Sequence, residues 1–522
     1  MSDAQPAVSI APAIAIGYPP PMAQNQNKNQ KKKPKTFRPK ARVPRGFRDR
    51  LGAEIVAERE MLARISAVYE AHGFDPLETP AFEYTDALGK FLPDVDRPNQ
   101  GVFSLQDDDE QWMSLRYDLT APLARFVAEN YDGLPKPFRR YQVGPVWRNE
   151  KPGPGRFRQF TQCDADTVGA PAPYADAEMC ALFADVIEAA GIGKDDFLIR
   201  VSNRKIVDGL FEKIGLDGEH DVETRLTVMR SMDKFDKFGL EGVALLLGGG
   251  RKDESGDFTD GAGLSDENAQ VVLDFLRSGA DNSDADPLSV MAALLGDTKS
   301  GEEGLNELNG IRASVPDFDD RPIMFDCSII RGLEYYTGPV FEADLTFEAK
   351  DDKGRPVRLG SVGGGGRYDG LVKRFKGMEV PAVGISVGIS RLLTALELQK
   401  GANVKVAGPV VVLALEKDQL ASYQTMAAEL REAGVRAEVY LGGSNFAKQL
   451  KYADKRAAPV AIIQGEDERA AGEVTIKDLV LGAELSKKIE DNTEWREEQP
   501  AQLAVKRSKL VEAVKNILAR NI

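Results

Sequence analysis

Two different spacings of apolar residues divide this chain, and they constrain its fold more than any single motif does. Up to about Lys400, short strand-like runs follow one another through turns: Met113–Leu115, Phe138–Trp147, Phe157–Asp166, Met324–Cys327, Val340–Leu345, Arg358–Gly363 and Ala382–Ser386. No regular crossover helices join them, which favours an antiparallel α+β sheet. Beyond Lys400 the pattern becomes strand–helix alternation. Val410–Leu415, Ala437–Leu441 and Val460–Gln464 are apolar, with helices Gln419–Ala433 and Asn445–Lys455 between them. That spacing predicts a small α/β domain with a largely parallel sheet, closed by a helix over Gln502–Arg520.

The remaining stretches fit around these two blocks. Ala53–His72 carries Ile55, Val56, Leu62, Ile65, Val68 and Tyr69 at helical spacing and stops at Gly73, a natural C-terminal cap. Phe74–Phe82 reads as a strand, and Pro76 and Pro80 assign it to a sheet edge or an interface. The stretch from about Lys205 to Val315 is mostly helical with acidic loops, and it interrupts the strand series as an insertion would. Residues 1–42 are rich in Pro, Gln, Asn and Lys, have little to bury, and are expected to be a disordered basic arm. The expected divisions are therefore 1–42, a strand-rich core of 43–204 and 316–400, a helical insertion at 205–315, and a C-terminal domain at 405–522.

Composition excludes several classes of function. A chain of 522 residues is too long for one core. It has no apolar run of membrane-spanning length, and Ala11–Tyr18 precedes any basic residue, against a secretory signal. The three cysteines (Cys163, Cys180, Cys327) are far apart and odd in number, as expected of reduced thiols in a cytoplasm. Only two histidines, His72 and His220, are present, which makes a histidine-based zinc site or a Ser-His-Asp triad a poor fit. The net charge is −14, yet Lys28 to Arg50 holds eleven basic residues against one acid. An arm of that kind can meet a phosphate backbone while the acidic body stays soluble, or serve as a solubilising tail.

The chemistry lies in arginines tied to glycines and aromatics. Three segments occur in order: Arg148-Asn149-Glu150…Gly155-Arg156-Phe157-Arg158-Gln159-Phe160, then Arg331-Gly332-Leu333-Glu334-Tyr335-Tyr336-Thr337-Gly338, then Gly363–Gly366 followed by Arg367-Tyr368-Asp369-Gly370. An apolar-glycine segment ending in Arg391 completes the set. Planar guanidinium forks suit phosphate and carboxylate, so these segments suggest a pocket for a nucleoside triphosphate and a small carboxylic acid. The glycine run has neither the GxGxxG spacing of a dinucleotide fold nor a GxxxxGK[ST] loop. It reads as a flexible connector or as backbone brought close to a ligand. Phe138–Asp166 reads as a β-hairpin with a Pro-Gly loop, on whose return strand Gln162, Asp164 and Asp166 share one face.

With these motifs the chain resembles the class II aminoacyl-tRNA synthetases, and within them the histidyl-tRNA synthetase family, from about Val43 to Ile522. The Arg331–Gly338 and Gly365–Leu371 segments are similar to the two histidine-specific signatures of that family. The Gly73–Pro80 region resembles the class II dimer motif, Phe138–Asp166 the second motif, and Ala382–Leu393 the third. The resemblance implies an antiparallel catalytic sheet and a C-terminal anticodon-binding domain. It further implies an enzyme that uses ATP and Mg²⁺ to form histidyl-adenylate and charge tRNA(His), as a cytoplasmic homodimer.

Residue by residue, the resemblance implies that Arg148 grips the ATP α-phosphate, Glu150 the adenine amine and Arg391 the γ-phosphate, with Phe160 stacked on the base. Asp118, Thr120 and Gln162 would hold the histidine α-amine. Asp166 and Tyr336 would read the imidazole, with Tyr335 beside them in the histidine site. Arg331 would sit between the carboxylate and the α-phosphate as the second catalytic arginine, with Arg148 the first. In the anticodon-binding domain, Lys448–Arg456 resembles a basic helix facing tRNA phosphates. The chain departs from the family pattern at three places: aspartate stands at 118 and 166 where many bacterial members have glutamate, Ser390 stands where the third motif usually has glutamate, and the Lys151–Pro154 loop differs from the common form. The alternative within the same fold is a non-catalytic regulatory subunit of ATP phosphoribosyltransferase.

Overall fold

The computed structural model describes residues 38–88, 101–152, 156–252, 258–280, 286–326, 329, 335–350, 354–357, 359–400, 407–486 and 501–520. Arg331 and its neighbours at 330–334, Cys327, most of the basic arm and the tip of the Pro-Gly loop at 153–155 lie outside the described residues. Chain contacts separate Met1–Pro44 from Arg45–Ile522. In the first unit the described residues 38–44 carry no helix or strand.

The second unit is built on an eight-stranded sheet. Its strands in chain order are β1 (Asp75–Pro76), β2 (Phe138–Trp147), β3 (Gln159–Val168), β4 (Phe197–Asn203), β5 (Ile323–Phe325), β6 (Pro339–Leu345), β7 (Ser361–Arg367) and β8 (Ala382–Gly388). In space they run β1-β2-β3-β8-β7-β6-β4-β5. The six inner strands pair antiparallel, and only the edge pairs β1·β2 and β4·β5 are parallel.

Period-two alternation divides the sheet into two chemically different faces. Tyr141, Cys163, Ala165, Ile199, Val201, Phe341, Val383, Ile385 and Val387 point to one side. There they meet Met61, Ile65 and Tyr69 of helix α1 (Gly52–Ala71), and Met179, Leu182, Phe183, Val186 and Ile187 of helix α3 (Tyr174–Ala190). Fully burying each large apolar side chain contributes about 1.5–3 kcal/mol, so this face anchors the domain. The opposite face presents Arg140, Gln142 and Gly144 on β2 against Asp166, Asp164 and Gln162 on β3, then Gly384, Ser386 and Gly388 on β8. Helix α2 (Thr120–Asn130) follows the short strand Trp112–Leu115, which pairs with Phe82–Tyr84 and Ser104–Gln106 in a separate small sheet.

Helix α1 ends as its sequence predicts. The His72 N–H bonds to the carbonyls of Val68 and Tyr69, and Gly73 follows with φ +76°, where a side chain would be strained. The stretch after Arg204 is helical around one short hairpin (Gly250–Lys252 with Phe258–Asp260). Its helices α4 (Arg204–Lys213), α5 (Val222–Met232) and α6 (Lys299–Ser314) bury Leu210, Phe211, Val228, Leu308 and Ile311 in the same continuous core as the sheet. Helix α7 (Ile389–Lys400) leaves the end of β8.

The C-terminal sheet comprises β9 (Val410–Val412), β10 (Ala437–Val439), β11 (Val460–Ile463), β12 (Glu473–Asp478) and β13 (Gln502–Lys506), in the order β10-β9-β11-β12-β13. Helices α8 (Leu420–Glu432), α9 (Phe446–Lys455) and α10 (Leu510–Arg520) accompany it.

Four expectations are corrected. The C-terminal sheet is mixed, because β12 and β13 pair antiparallel. Gln502–Arg520 is a strand, a 3₁₀ turn and a helix: the core spacing Leu510, Val514, Ile517 starts only at 510, while Gln502–Lys506 completes a ladder on Glu473–Lys477. Such a ladder forms from residues distant in sequence. Phe74–Phe82 is no continuous strand: it joins the main sheet only at Asp75–Pro76, and Phe82 begins the strand of the small sheet, since neither proline can donate to a ladder. The glycine run is a strand in the interior of the sheet, bonded on both sides, and no connector.

Candidate active site

A cavity of about 1190 Å³ opens above the polar face of the sheet. Single small-molecule pockets generally hold ~300–1,000 Å³, so there is room for two substrates at once. Asp118, Thr120, Arg148, Glu150, Phe160, Gln162, Asp166, Tyr335, Tyr336 and Arg391 all line it. These ten come from four separated parts of the chain. Arg331, the eleventh residue singled out in the sequence, lies outside the described residues.

One side of the cavity carries the arginines. Arg148 follows the end of β2, donates from Nε to the Tyr117 carbonyl at 3.2 Å, and has its guanidinium carbon 5.1 Å from the Phe160 ring centre. Glu150 is exposed at the rim, where its carbonyl accepts from Arg158 Nε at 2.9 Å. Arg391, in the first turn of α7, donates from Nη1 to the Ser361 carbonyl. Ser390 beside it accepts from the Thr161 N–H at 3.4 Å, so the serine ties α7 to β3 and leaves the placement of Arg391 to β7.

The other side carries carboxylates and tyrosines. Asp118 Oδ1 accepts from the Ala121 N–H at 2.9 Å, capping α2 and fixing Thr120 at that helix's start. Gln162 donates from Nε2 to Ser386 Oγ at 2.5 Å, while its buried Oε1 has no hydrogen-bond partner among the described residues. Asp166 takes the Tyr368 hydroxyl on Oδ1 and faces Arg140 Nη2 from Oδ2 at 2.8 Å. The Tyr335 and Tyr336 rings lie 4.2 Å apart. Burial pushes the carboxyls of Asp118 and Asp166 above the ordinary range, and it pushes the Tyr335 hydroxyl up to about 12.

The absence of side chains shapes the floor. A Cβ on Gly384 would stand 1.9 Å from Asp166 Oδ1, and one on Gly366 would meet the Tyr336 ring at 2.8 Å. On the opposite face a Cβ on Gly363 would meet the Phe183 ring at 2.9 Å, so the run serves helix packing as well as the cavity.

Two features differ from the sequence reading. Arg367 does not reach the cavity: it grips Asp176 through Nε at 2.9 Å and Nη2 at 2.7 Å, with Asp369 at 3.1 Å, and is 2% exposed. A guanidinium held by two acids, one a neighbour in sequence and one distant, has no charge left for a ligand. Arg140, conversely, was not singled out. It is fully buried opposite Asp166. The pairing of Trp147 with Gln159 fixes that opposition, so the hairpin register could have found it. Tyr368, part of the second signature, also lines the cavity, as do Tyr117, Ser386, Arg230 of α5 and Lys234 just beyond it, which carried no separate sequence signal.

The sequence model of the histidyl-tRNA synthetase family matches residues 46–392, and that of an anticodon binding domain matches residues 409–517. The chain belongs to the histidyl-tRNA synthetase family. A histidine–tRNA ligase of Rhizobium meliloti is 58% identical over 494 residues, covering 94% of this chain and 97% of that protein. The crystal structure of histidyl-tRNA synthetase from Nostoc sp. PCC 7120 superposes with a TM-score of 0.69 at 30% identity, covering 92% of this chain and all of that one. A Bacillus halodurans structure described as an ATP phosphoribosyltransferase regulatory subunit/histidyl-tRNA synthetase has a TM-score of 0.61 at 22% identity over 79% of this chain and 96% of that one, a likeness of fold alone.

Proposed function

We propose that this chain activates L-histidine with ATP and transfers the histidyl group to the 3′ end of tRNA(His). In the first step a carboxylate oxygen of histidine attacks the α-phosphorus, the bond to the β-phosphate oxygen breaks, and pyrophosphate leaves. In the second a terminal ribose hydroxyl of the tRNA attacks the acyl carbon, and AMP leaves. The observation that carries the reading is the convergence of ten family-pattern residues on one cavity wide enough for both small substrates.

In this reading Arg148 and Arg391 hold the triphosphate, Phe160 stacks on the adenine and Glu150 meets its amine. Fixed cations stabilise charge growing on the equatorial oxygens without reorganising at the moment of reaction. Arg331 bridges the histidine carboxylate and the α-phosphate. Asp118, Thr120 and Gln162 hold the α-ammonium, while Asp166, Tyr335 and Tyr336 select the imidazole. A site whose buried acceptors need N–H partners rejects apolar analogues by ~10⁴–10⁵. Mg²⁺ enters with ATP as part of the substrate, ligated mainly by phosphates and water.

The proposed divisions are an arm at 1–42, a core at 43–204 and 316–400, an insertion at 205–315 and an anticodon-binding domain at 405–522. A cytoplasmic homodimer through the Pro80 region fits the exposure of Phe82 (40%) and Tyr84 (56%) on the small sheet, and the buried free thiols Cys163 and Cys180. The regulatory-subunit reading has less support, given 58% identity to a ligase and a matched anticodon-binding domain.

The test is ATP–pyrophosphate exchange with each of the twenty amino acids and no tRNA. Exchange confined to histidine, and lost in Arg331→Ala, is the expected result. A folded protein that exchanges with none of them overturns the reading.

A further inference from the structure

Below the cavity floor lie two charged residues, Asp164 and Arg140, that the assigned roles do not use. Asp164 sits on β3 between Gln162 and Asp166, both of which line the cavity, and is 1% exposed. Its Oδ1 has no hydrogen-bond partner among the described residues. Arg140, on the facing strand, donates from Nη2 to the Leu119 carbonyl at 2.9 Å and forms an ion pair with Asp166 Oδ2 at 2.8 Å, while its Nε and Nη1 have no hydrogen-bond partner among the described residues. The Ser386 hydroxyl lines the cavity and receives the Gln162 amide at 2.5 Å, and Ser386 stands opposite Asp164 in the β3–β8 register. One permanent cation is thus paired with Asp166 and lies diagonally across the strand pair from Asp164, where water is excluded. Two such carboxylates resist being ionised together.

We propose that Asp164 is a positioning residue for amino-acid recognition: buried opposite Ser386 and diagonal to Arg140, it sets by its charge whether Arg140 fully neutralises Asp166. The inference rests on reading the cavity as the histidine site. With Asp164 ionised the cluster carries one net negative charge toward the substrate's ammonium and ring N–H. With Asp164 protonated, Arg140 and Asp166 cancel and the pull weakens.

The groups facing Asp164 set where this change falls. Arg140 on β2 favours ionisation, while Asp166 on β3 and Asp118 before α2 oppose it. Arg116, Tyr335 and Tyr336 stand nearby, with Tyr69 of α1 and Cys163 on the far side of the sheet. Burial dominates and moves the carboxyl up to about 7. Histidine should therefore bind less well as pH falls through neutrality, beyond what its own ring titration accounts for.

The experiment is the KM for histidine in ATP–pyrophosphate exchange from pH 6 to 8.5, in the wild type and in Asp164→Asn. Substrate titration is common to both and cancels in the ratio of KM values. The ratio should be roughly tenfold at pH 8.5, the equivalent of one unit of pKa coupling. It should shrink toward one at pH 6, with kcat and the KM for ATP little changed, and Asp164→Glu should restore the pH dependence. A ratio flat with pH, or a loss confined to kcat, overturns the proposal. If the asparagine variant does not fold, calorimetric histidine binding to the wild type at pH 7 in two buffers of different ionisation heat decides the matter. Release must exceed about a quarter of a proton, the share that free imidazole carries at that pH. No exchange by the wild type would instead sink the activation reading itself.

Discussion

Gly384→Ala is a minimal change that reaches the end of the cavity proposed to take the amino acid. The added carbon would lie 1.9 Å from Asp166 Oδ1, 2.6 Å from its Cγ and 2.9 Å from the Ala165 carbonyl. Ordinary contact begins near 3.4 Å, so the carboxylate must retreat by about 1.5 Å. It cannot do so freely. Tyr368 holds one oxygen, Arg140 faces the other at 2.8 Å, and β8 is locked between β3 and β7. Overpacking of this kind costs about 1–3 kcal/mol in stability. A misplaced carboxylate also forfeits a charge-assisted hydrogen bond to the substrate, worth ~1.5–3 kcal/mol, or about 10–150-fold in affinity. Pyrophosphate-exchange kinetics should show the KM for histidine raised by that factor and the KM for ATP within about threefold, since Arg148 and Phe160 lie apart from the clash. Gly364→Ala is the stability control, because its Cβ meets only the Phe341 carbonyl, at 3.4 Å. An unchanged histidine KM in folded Gly384→Ala would refute the assignment of Asp166 to the substrate.

Three further outcomes follow from the same geometry. Arg367→Met strands the buried Asp176 carboxylate and should cost about 3–5 kcal/mol. Arg507→Met breaks a part-exposed pair with Glu429 at 2.6 Å and should cost at most about 1 kcal/mol; urea midpoints compare the two. Arg148→Ala should slow pyrophosphate exchange by ~10²–10³ with an unchanged melting temperature. The stability of Asp164→Asn relative to wild type should rise with pH. The Asp164 carboxyl titrates near 7 folded against an ordinary 3.8, so between those values the folded state holds more protons and loses stability as pH rises. Asparagine removes that loss, and a pH-independent difference in urea midpoints at pH 4.5 and 8 would count against the buried carboxyl.

How far the sequence could be read follows from the range of the interactions that decide each element. Helix α1 and the β2–β3 hairpin were legible because a cap at Gly73, a Pro-Gly loop and alternation on one strand are all local signals. The register of that hairpin then implied that Gln162, Asp164 and Asp166 share a face, and they do. What failed was decided by distant partners. Gln502–Lys506 has no helix-breaking residue, and becomes a strand because Glu473–Lys477 offers it a ladder. Arg367 looked like a ligand-binding arginine because it sits in a signature whose other members, Gly365 and Tyr368, line the cavity. Its fork is taken by Asp176, 191 residues earlier, on a helix that packs the other side of the sheet. Arg140 is the converse case. In the sequence it carried no assigned role, yet the fold buries it completely against Asp166. A buried guanidinium is tolerated only when its countercharge is fixed beside it, so Arg140 and the β3 carboxylates have to be read as one unit. That unit, more than any single motif arginine, determines how much negative charge the amino-acid end of the cavity presents to its substrate.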